Sequence, residues 1–223
     1  MADTGTRGQI LLHAARLFGQ RGFYGTSTRD IAESVGIRQP SLFYHFASKH
    51  LILSALIDAD LAQDATRFAE AMRLEVGHAE RFHFFLAVTS SDYLTLPYDA
   101  RGYYGGAVFT EPEFAPQRQA IEQQHANIRL RVQRGIEARE FKPVDPDFVQ
   151  GAVNGLQFEG MRKREINRDA AVSEWPLQVA DFILRAILLD TSMLPDARRT
   201  ALRYLGDLTE TAEPINASQL SSH

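Results

Sequence analysis

A chain of 223 residues, 44% of them apolar, is long enough to bury roughly 70% of its unfolded surface, so core size sets no limit on the fold. It has no cysteine, which excludes disulfides and thiolate metal sites and suits a reducing cytoplasm, the expected location. The net charge of -4 divides unevenly: residues 1–50 carry six Lys or Arg against three Asp or Glu, a local +3 that leaves -7 for the remainder. A basic head on an acidic body suits nucleic-acid binding, which depends on local surface charge rather than the total. Half a dozen basic residues in fifty equally suit an ordinary solvated surface.

The start, Met1 to Arg7, is polar, and charge interrupts every apolar run, so neither a signal peptide nor a membrane span is expected. Apolar residues recur at three and four almost throughout and strand signals are nearly absent. The chain therefore reads as all-α, with about nine to ten helices. Ile10 or Leu11, Ala14, Ala15, Leu17 and Phe18 mark a first helix that Gly22 ends. Ser27 with Asp30 three residues on is a capping-box-like start for a short helix through Ile31, Ala32 and Val35, and Gly36 makes the turn. The third helix begins around Gln39, with Pro40 and Ser41 in its first turn and then Leu42, Phe43, Tyr44 and Phe46.

Ser48 caps a fourth, longer helix, a rod between head and body that runs to about Leu74. A fifth carries Phe82, Phe85, Leu86, Thr89 and Tyr93. From Pro97 to Pro116 glycines and prolines break the pattern, which predicts a loop with one short helix. Within it "PYDARGYYGG" reads as a lid over a pocket or as a surface loop. Pro116 opens a helix striped by Ile121, His125, Ile128, Val132 and Ile136, and Asp145 with Pro146 caps another that ends in Arg162, Lys163 and Arg164. Trp175 to about Leu189 is apolar on nearly every side, which predicts a buried helix. A last amphipathic piece bears Leu202, Leu205 and Leu208. The division expected is 1–50 as head, 51–208 as body and 209–223 as a disordered tail.

Two short helices joined at Gly36 and backed by a supporting helix have the form of a helix-turn-helix, whose second helix enters the DNA major groove. A plain three-helix bundle has the same outline. The third helix tips the balance, because Gln39, Ser41, Tyr44, His45 and Lys49 interleave with core-type Leu42 and Phe46 and can reach base edges and phosphates.

Residues 10–53 closely resemble the tetracycline-repressor (TetR) family through "AARLFGQRGFYGTSTRDIAESVGI" and "QPSLFYHFASKHLIL". The resemblance implies base contacts from Arg29, Gln39, Pro40 and Ser41 and phosphate contacts from Thr28, Tyr44, His45 and Lys49. Two positions depart from the family pattern. Arg38 stands where a serine N-cap is common, which removes a cap and adds a guanidinium near DNA. Phe43 stands where a phosphate-binding tyrosine is common, and core packing is the favoured reading for it.

The resemblance further implies a dimeric repressor of a pseudo-palindromic operator, released by a small, partly apolar effector. Dimer contacts are expected near residues 146–164 and 174–189, where Gly151, Ala152 and Gly155 allow close approach, although the same helices could equally form the monomer core. Candidate ligand contacts are Phe68, Phe85, Thr89, Tyr93, His125, Asn154 and Phe158, with Phe82, Phe109, Arg129 and Gln157 as further lining. An aromatic at helical spacing is more often core than pocket wall. His125 reads best as a buried histidine bonded to a neighbour.

No metal site is expected, since His78 and His83 lie five apart with no carboxylate motif beside them, and no cofactor loop or nucleophile–base pair is evident. The alternatives are a DNA-binding protein without an effector, and a ligand-binding or enzymatic protein with a vestigial head.

Overall fold

The computed structural model describes residues 3–104, 107–166 and 168–211, and among these the fold is all-α. Ten α-helices follow in order: α1 (Asp3–Arg21), α2 (Thr28–Val35), α3 (Gln39–His45), α4 (Lys49–Arg73), α5 (His78–Thr95), α6 (Arg101–Tyr104), α7 (Ala115–Glu137), α8 (Pro146–Ile166), α9 (Arg168–Ile187) and α10 (Leu194–Thr211). The chain divides into two compact units. Among the described residues one comprises those up to Ala62 with Leu96–Ile121, and the other Gln63–Thr95 with the residues from Glu122 to Thr211.

In the first unit α1 packs on α2 and α2 on α3. Ile10, Leu11, Ala14, Ala15 and Phe18 of α1 are buried with Ile31 and Ala32 of α2, Leu42 of α3, and Ile52, Leu53, Leu56 and Ile57 of α4. Local rules set the boundaries. Ser27 accepts from the Asp30 amide at 3.1 Å while Asp30 accepts from the Ser27 amide at 2.8 Å, a complete capping box. Gly36 ends α2 with φ +79°, a left-handed conformation that only glycine adopts at no steric cost.

Among its described residues the segment from Pro97 to Pro116 is not a plain surface loop. Besides α6 it forms two short 3-10 turns, and it buries Tyr98, Ala100, Tyr103, Val108 and Phe114. Helix α6 lies against α1 so closely that a Cβ on Gly102 would collide with the Phe18 carbonyl oxygen and the Gly19 backbone.

In the second unit α5 is central and packs on α8, α9 and α10. Its Phe82, Phe84, Phe85, Leu86 and Val88 share a core with Val132, Phe141, Val149, Val153, Ile183, Leu184, Ile187 and Ala201. The expectation of a wholly buried α9 is corrected here. Val179, Ala180, Ile183, Leu184 and Ile187 face inward, but Phe182 is 63% exposed and Leu189, just past the helix, is exposed as well. Helix α10 extends to Thr211, past the point where the tail was expected, and the rest of that tail lies outside the described residues.

Candidate functional site

Helices α2 and α3 present their polar faces outward because their apolar residues share one side. In the seven-residue α3, Leu42 and the following Phe46, one turn apart, are buried, which turns Pro40, Ser41, Phe43 and Tyr44 to solvent. Tyr44 is 80% exposed and its ring meets the His45 imidazole edge-on at 5.2 Å. Phe43 is 44% exposed, which overturns the core reading: it is rotated about 100° from the Leu42–Phe46 stripe. Arg29 and Arg38 are exposed. Arg38 occupies the N-cap of α3 in an extended conformation and makes no side-chain cap bond, as expected from the loss of serine there.

Three of the candidate DNA contacts, Thr28, Gln39 and Lys49, are hydrogen-bonded within the protein. Gln39 Nε2 donates to Thr28 Oγ1 at 2.9 Å, which ties the first turn of α3 to the first turn of α2 and leaves the Gln39 carbonyl oxygen for another donor. Lys49 Nζ donates to the Phe23 and Thr26 carbonyls at 2.7 and 2.8 Å and lies 4.1 Å from the Phe23 ring centroid. Partial burial lowers its pKa below the usual lysine value. The ammonium is thus chiefly a strut for the segment between α1 and α2, with one of its three hydrogens left to reach outward.

A buried carboxylate steadies the same unit. Asp60 lies on the apolar stripe of α4 beside Ile57 and Leu61, and accepts from Tyr98 Oη at 3.2 Å and Tyr103 Oη at 2.8 Å. Burial raises its pKa to about 6 despite these hydrogen bonds, and pushes both tyrosines well above their usual value. Sequence reading missed this cluster, although an aspartate on an otherwise apolar stripe was a visible sign of it.

The second unit distributes the candidate ligand residues unevenly. Phe68 and Phe85 come together around Arg131, whose guanidinium lies 4.4 and 4.3 Å from their ring centroids. Thr89, one turn on from Phe85, accepts from Gln157 Nε2 at 3.3 Å. Tyr93 Oη donates to Asp64 at 2.6 Å.

Asn154 bonds His125 Nε2 at 2.9 Å, but the imidazole is only half-buried, with Glu122 3.7 Å from its other nitrogen, so the fully buried reading does not hold. Phe158 faces out, 37% exposed, and is joined to Phe148 by the three-and-four spacing through Gly151 and Gly155 on α8. Arg129 is engaged by Glu122 and Asp147, and Phe82 packs on Phe141. Phe109 belongs to the first unit, near Tyr104 and Phe114. His83 is fully buried and bonds Asp181 at 2.8 Å; burial lowers its pKa although Asp181 opposes the shift. Among the described residues no three His, Cys, Asp or Glu side chains are grouped to hold a metal.

Residues 10–56 match the model of the bacterial regulatory proteins of the tetR family. The match coincides with α1–α3 and the start of α4. The head of this chain is a TetR-family DNA-binding domain.

The chain is 25% identical over 172 residues to the HTH-type transcriptional activator FasR of Mycolicibacterium smegmatis, covering 74% of this chain and 77% of the relative. It is 28% identical over 162 residues to the HTH-type transcriptional repressor KstR2 of Mycobacterium tuberculosis, covering 70% of this chain and 80% of that one. Among solved structures, AmtR of Mycobacterium smegmatis superimposes with a TM-score of 0.73 at 28% identity, covering 88% of this chain and 92% of the other. The regulator is a helix-turn-helix DNA-binding protein, and no helix among its described residues is long and apolar enough to cross a membrane.

Proposed function

We propose that the regulator is a homodimeric repressor that binds a pseudo-palindromic operator through α2 and α3 and leaves it when a small, partly apolar effector binds the body. The observation that carries the DNA half is the outward polar face of α3. Arg29, Gln39, Pro40 and Ser41 supply base contacts, and Thr28, Tyr44, His45 and the outward hydrogen of Lys49 supply phosphate contacts, with Arg38 adjacent. Residues 1–50 act as the reading head and 51–208 as the effector-binding and dimerisation part. The target is chromosomal DNA, which implies a cytoplasmic location, and no catalytic role is assigned, in keeping with the family.

Dimerisation is supported by an unpartnered apolar face. Phe148, Gly151, Gly155 and Phe158 follow at three and four on α8, with Phe148 77% exposed, while Gln178, Phe182 and Leu189 line an exposed face along α9 and its end. Added methyls at Gly151 and Gly155 would meet open space, so this face is flat enough for a second helix pair to lie on it. Burying Phe148 and Phe182 in both copies gains about 1.5–3 kcal/mol for each ring. Two heads then read two half-sites, which a single module with its small interface does poorly.

An effector acts by preferring the conformation that does not fit the operator. The test combines light scattering with titration of the DNA upstream of the regulator's own gene. The wild type is expected to be a dimer that binds this DNA in preference to a scrambled duplex. Phe182→Glu is expected to be a folded monomer that binds roughly 100-fold more weakly. A monomeric wild type with full affinity would refute the dimeric reading.

A further inference from the structure

Arg131 is a buried cation with no ion-pair partner among the described residues. It projects from α7 into the core of the second unit, is 6% exposed, and donates from Nη2 to the Phe68 carbonyl at 3.2 Å. Its Nε and Nη1 are buried and find no acceptor among the described residues. A guanidinium has five N–H donors, so the one carbonyl bond and the faces of Phe68 and Phe85 leave most of them unused. The charges that influence it most are both positive, Arg81 and Arg134. Burial and these neighbours push its pKa down to about 9, which still leaves it charged at neutral pH. Arg81 offers no relief, since its own Nη2 is held by the Leu74 and Val76 carbonyls.

Buried charges in proteins are as a rule paired, and a core position that tolerates an unpaired one loses stability. A cation kept there despite that loss points to an anion that arrives from outside. Its surroundings specify the rest of the ligand. Phe68 and Phe85 both lie against the guanidinium, Ile128 and Val132 lie within one turn on α7, and Thr89 with Gln157 offers a hydrogen-bonding pair one turn further along α5. The planar fork of donors suits the two oxygens of a carboxylate.

We propose that Arg131 anchors the acid group of an amphipathic carboxylate, whose apolar portion lies against Phe68 and Phe85. This rests on the effector reading above and names the chemical class of the effector.

The experiment uses the full chain and Arg131→Met, which keeps the volume and removes the charge. Without ligand, Arg131→Met is expected to raise the Tm, because it deletes an uncompensated charge; a lower Tm would make Arg131 a structural cation and overturn the proposal. Both proteins are then titrated with the linear carboxylates from hexanoate to tetradecanoate and with the matching primary amides. The best acid is expected to bind the wild type at least tenfold more tightly than its amide, with the preference abolished in Arg131→Met. No preference for acid over amide in the wild type overturns the proposal, as does stabilisation by inorganic phosphate with none by the acids.

Adding operator DNA separates the two readings. An acid that binds through Arg131 and leaves DNA affinity unchanged supports the anchor and sinks the effector reading. Amides that release DNA where acids do not sustain the effector reading and sink the anchor.

Discussion

The two units each bury a charge, and they treat it differently. In the first, Asp60 is met by two tyrosine hydroxyls delivered by the Pro97–Pro116 segment. In the second, Arg131 is met by two phenyl faces and one carbonyl, and two of its three nitrogens have no acceptor among the described residues. A hydrogen-bonded buried acid fixes one arrangement of the chain, which suits a reading head, even though burial still disfavours its ionised form. An unsatisfied charge favours whatever supplies its counter-charge, which is what a sensing body needs. If Arg131 anchors a ligand as proposed, the same physical ground makes the first unit rigid and the second ligand-dependent.

The largest effect that can break this comparison is the pH response. Asp60 has a folded pKa of about 6 against 3.8 for the free group, so the folded state binds more protons than the unfolded state in that interval. Stability contributed there falls as pH rises from about 4 to about 6, by about 3 kcal/mol in all, and is constant above. His83 in the second unit has the opposite sign: its pKa is lowered, so stability is present above 6.5 and is lost as pH falls below it. Chemical denaturation across this range should show the Asp60 slope vanish in Asp60→Asn. An unchanged slope would mean that the carboxylate is not buried as described.

A smaller effect sharpens the account of Lys49. Lys49→Met removes two charge-assisted bonds to backbone carbonyls and should cost about 2 kcal/mol, read as a lower denaturation midpoint. It should also weaken binding to every DNA sequence alike. A loss of affinity with no loss of stability would restore the reading of Lys49 as a phosphate ligand first. Smallest is Ser27→Ala, which opens the capping box at the start of α2 and should cost about 1 kcal/mol. Calorimetry showing no change would mean that α2 is held by packing alone.

The head was legible in the sequence because its determinants are local. Ser27 and Asp30 are three apart, Gly36 adjoins the helix it ends, and Leu42 and Phe46 are one turn apart. The inward turn of Lys49 was not legible, because its acceptors are carbonyls 23 and 26 residues back in the chain. In the body the relevant neighbours are farther still. The Arg131 guanidinium meets Phe68 across 63 residues, and nothing in the α7 stripe tells which aromatics will cover it. Exposure of Phe43, Phe158 and Phe182 was missed for a related reason: composition marks a side chain as apolar, but only the packing of its neighbours decides which apolar side chains remain outside.

The claim on which the rest depends is that the outward face of α2 and α3 reads DNA. The most direct test is fluorescence anisotropy with the DNA upstream of the regulator's own gene, measured over a series of salt concentrations for the wild type and Arg29→Ala. Arg29 is exposed, so its loss should leave the Tm unchanged. The wild type should favour this DNA over a scrambled duplex with an affinity that falls steeply as salt rises, and Arg29→Ala should lose about 1–3 kcal/mol of binding to it. Equal affinity for both duplexes, or an Arg29→Ala protein that binds as the wild type does, would contradict the account.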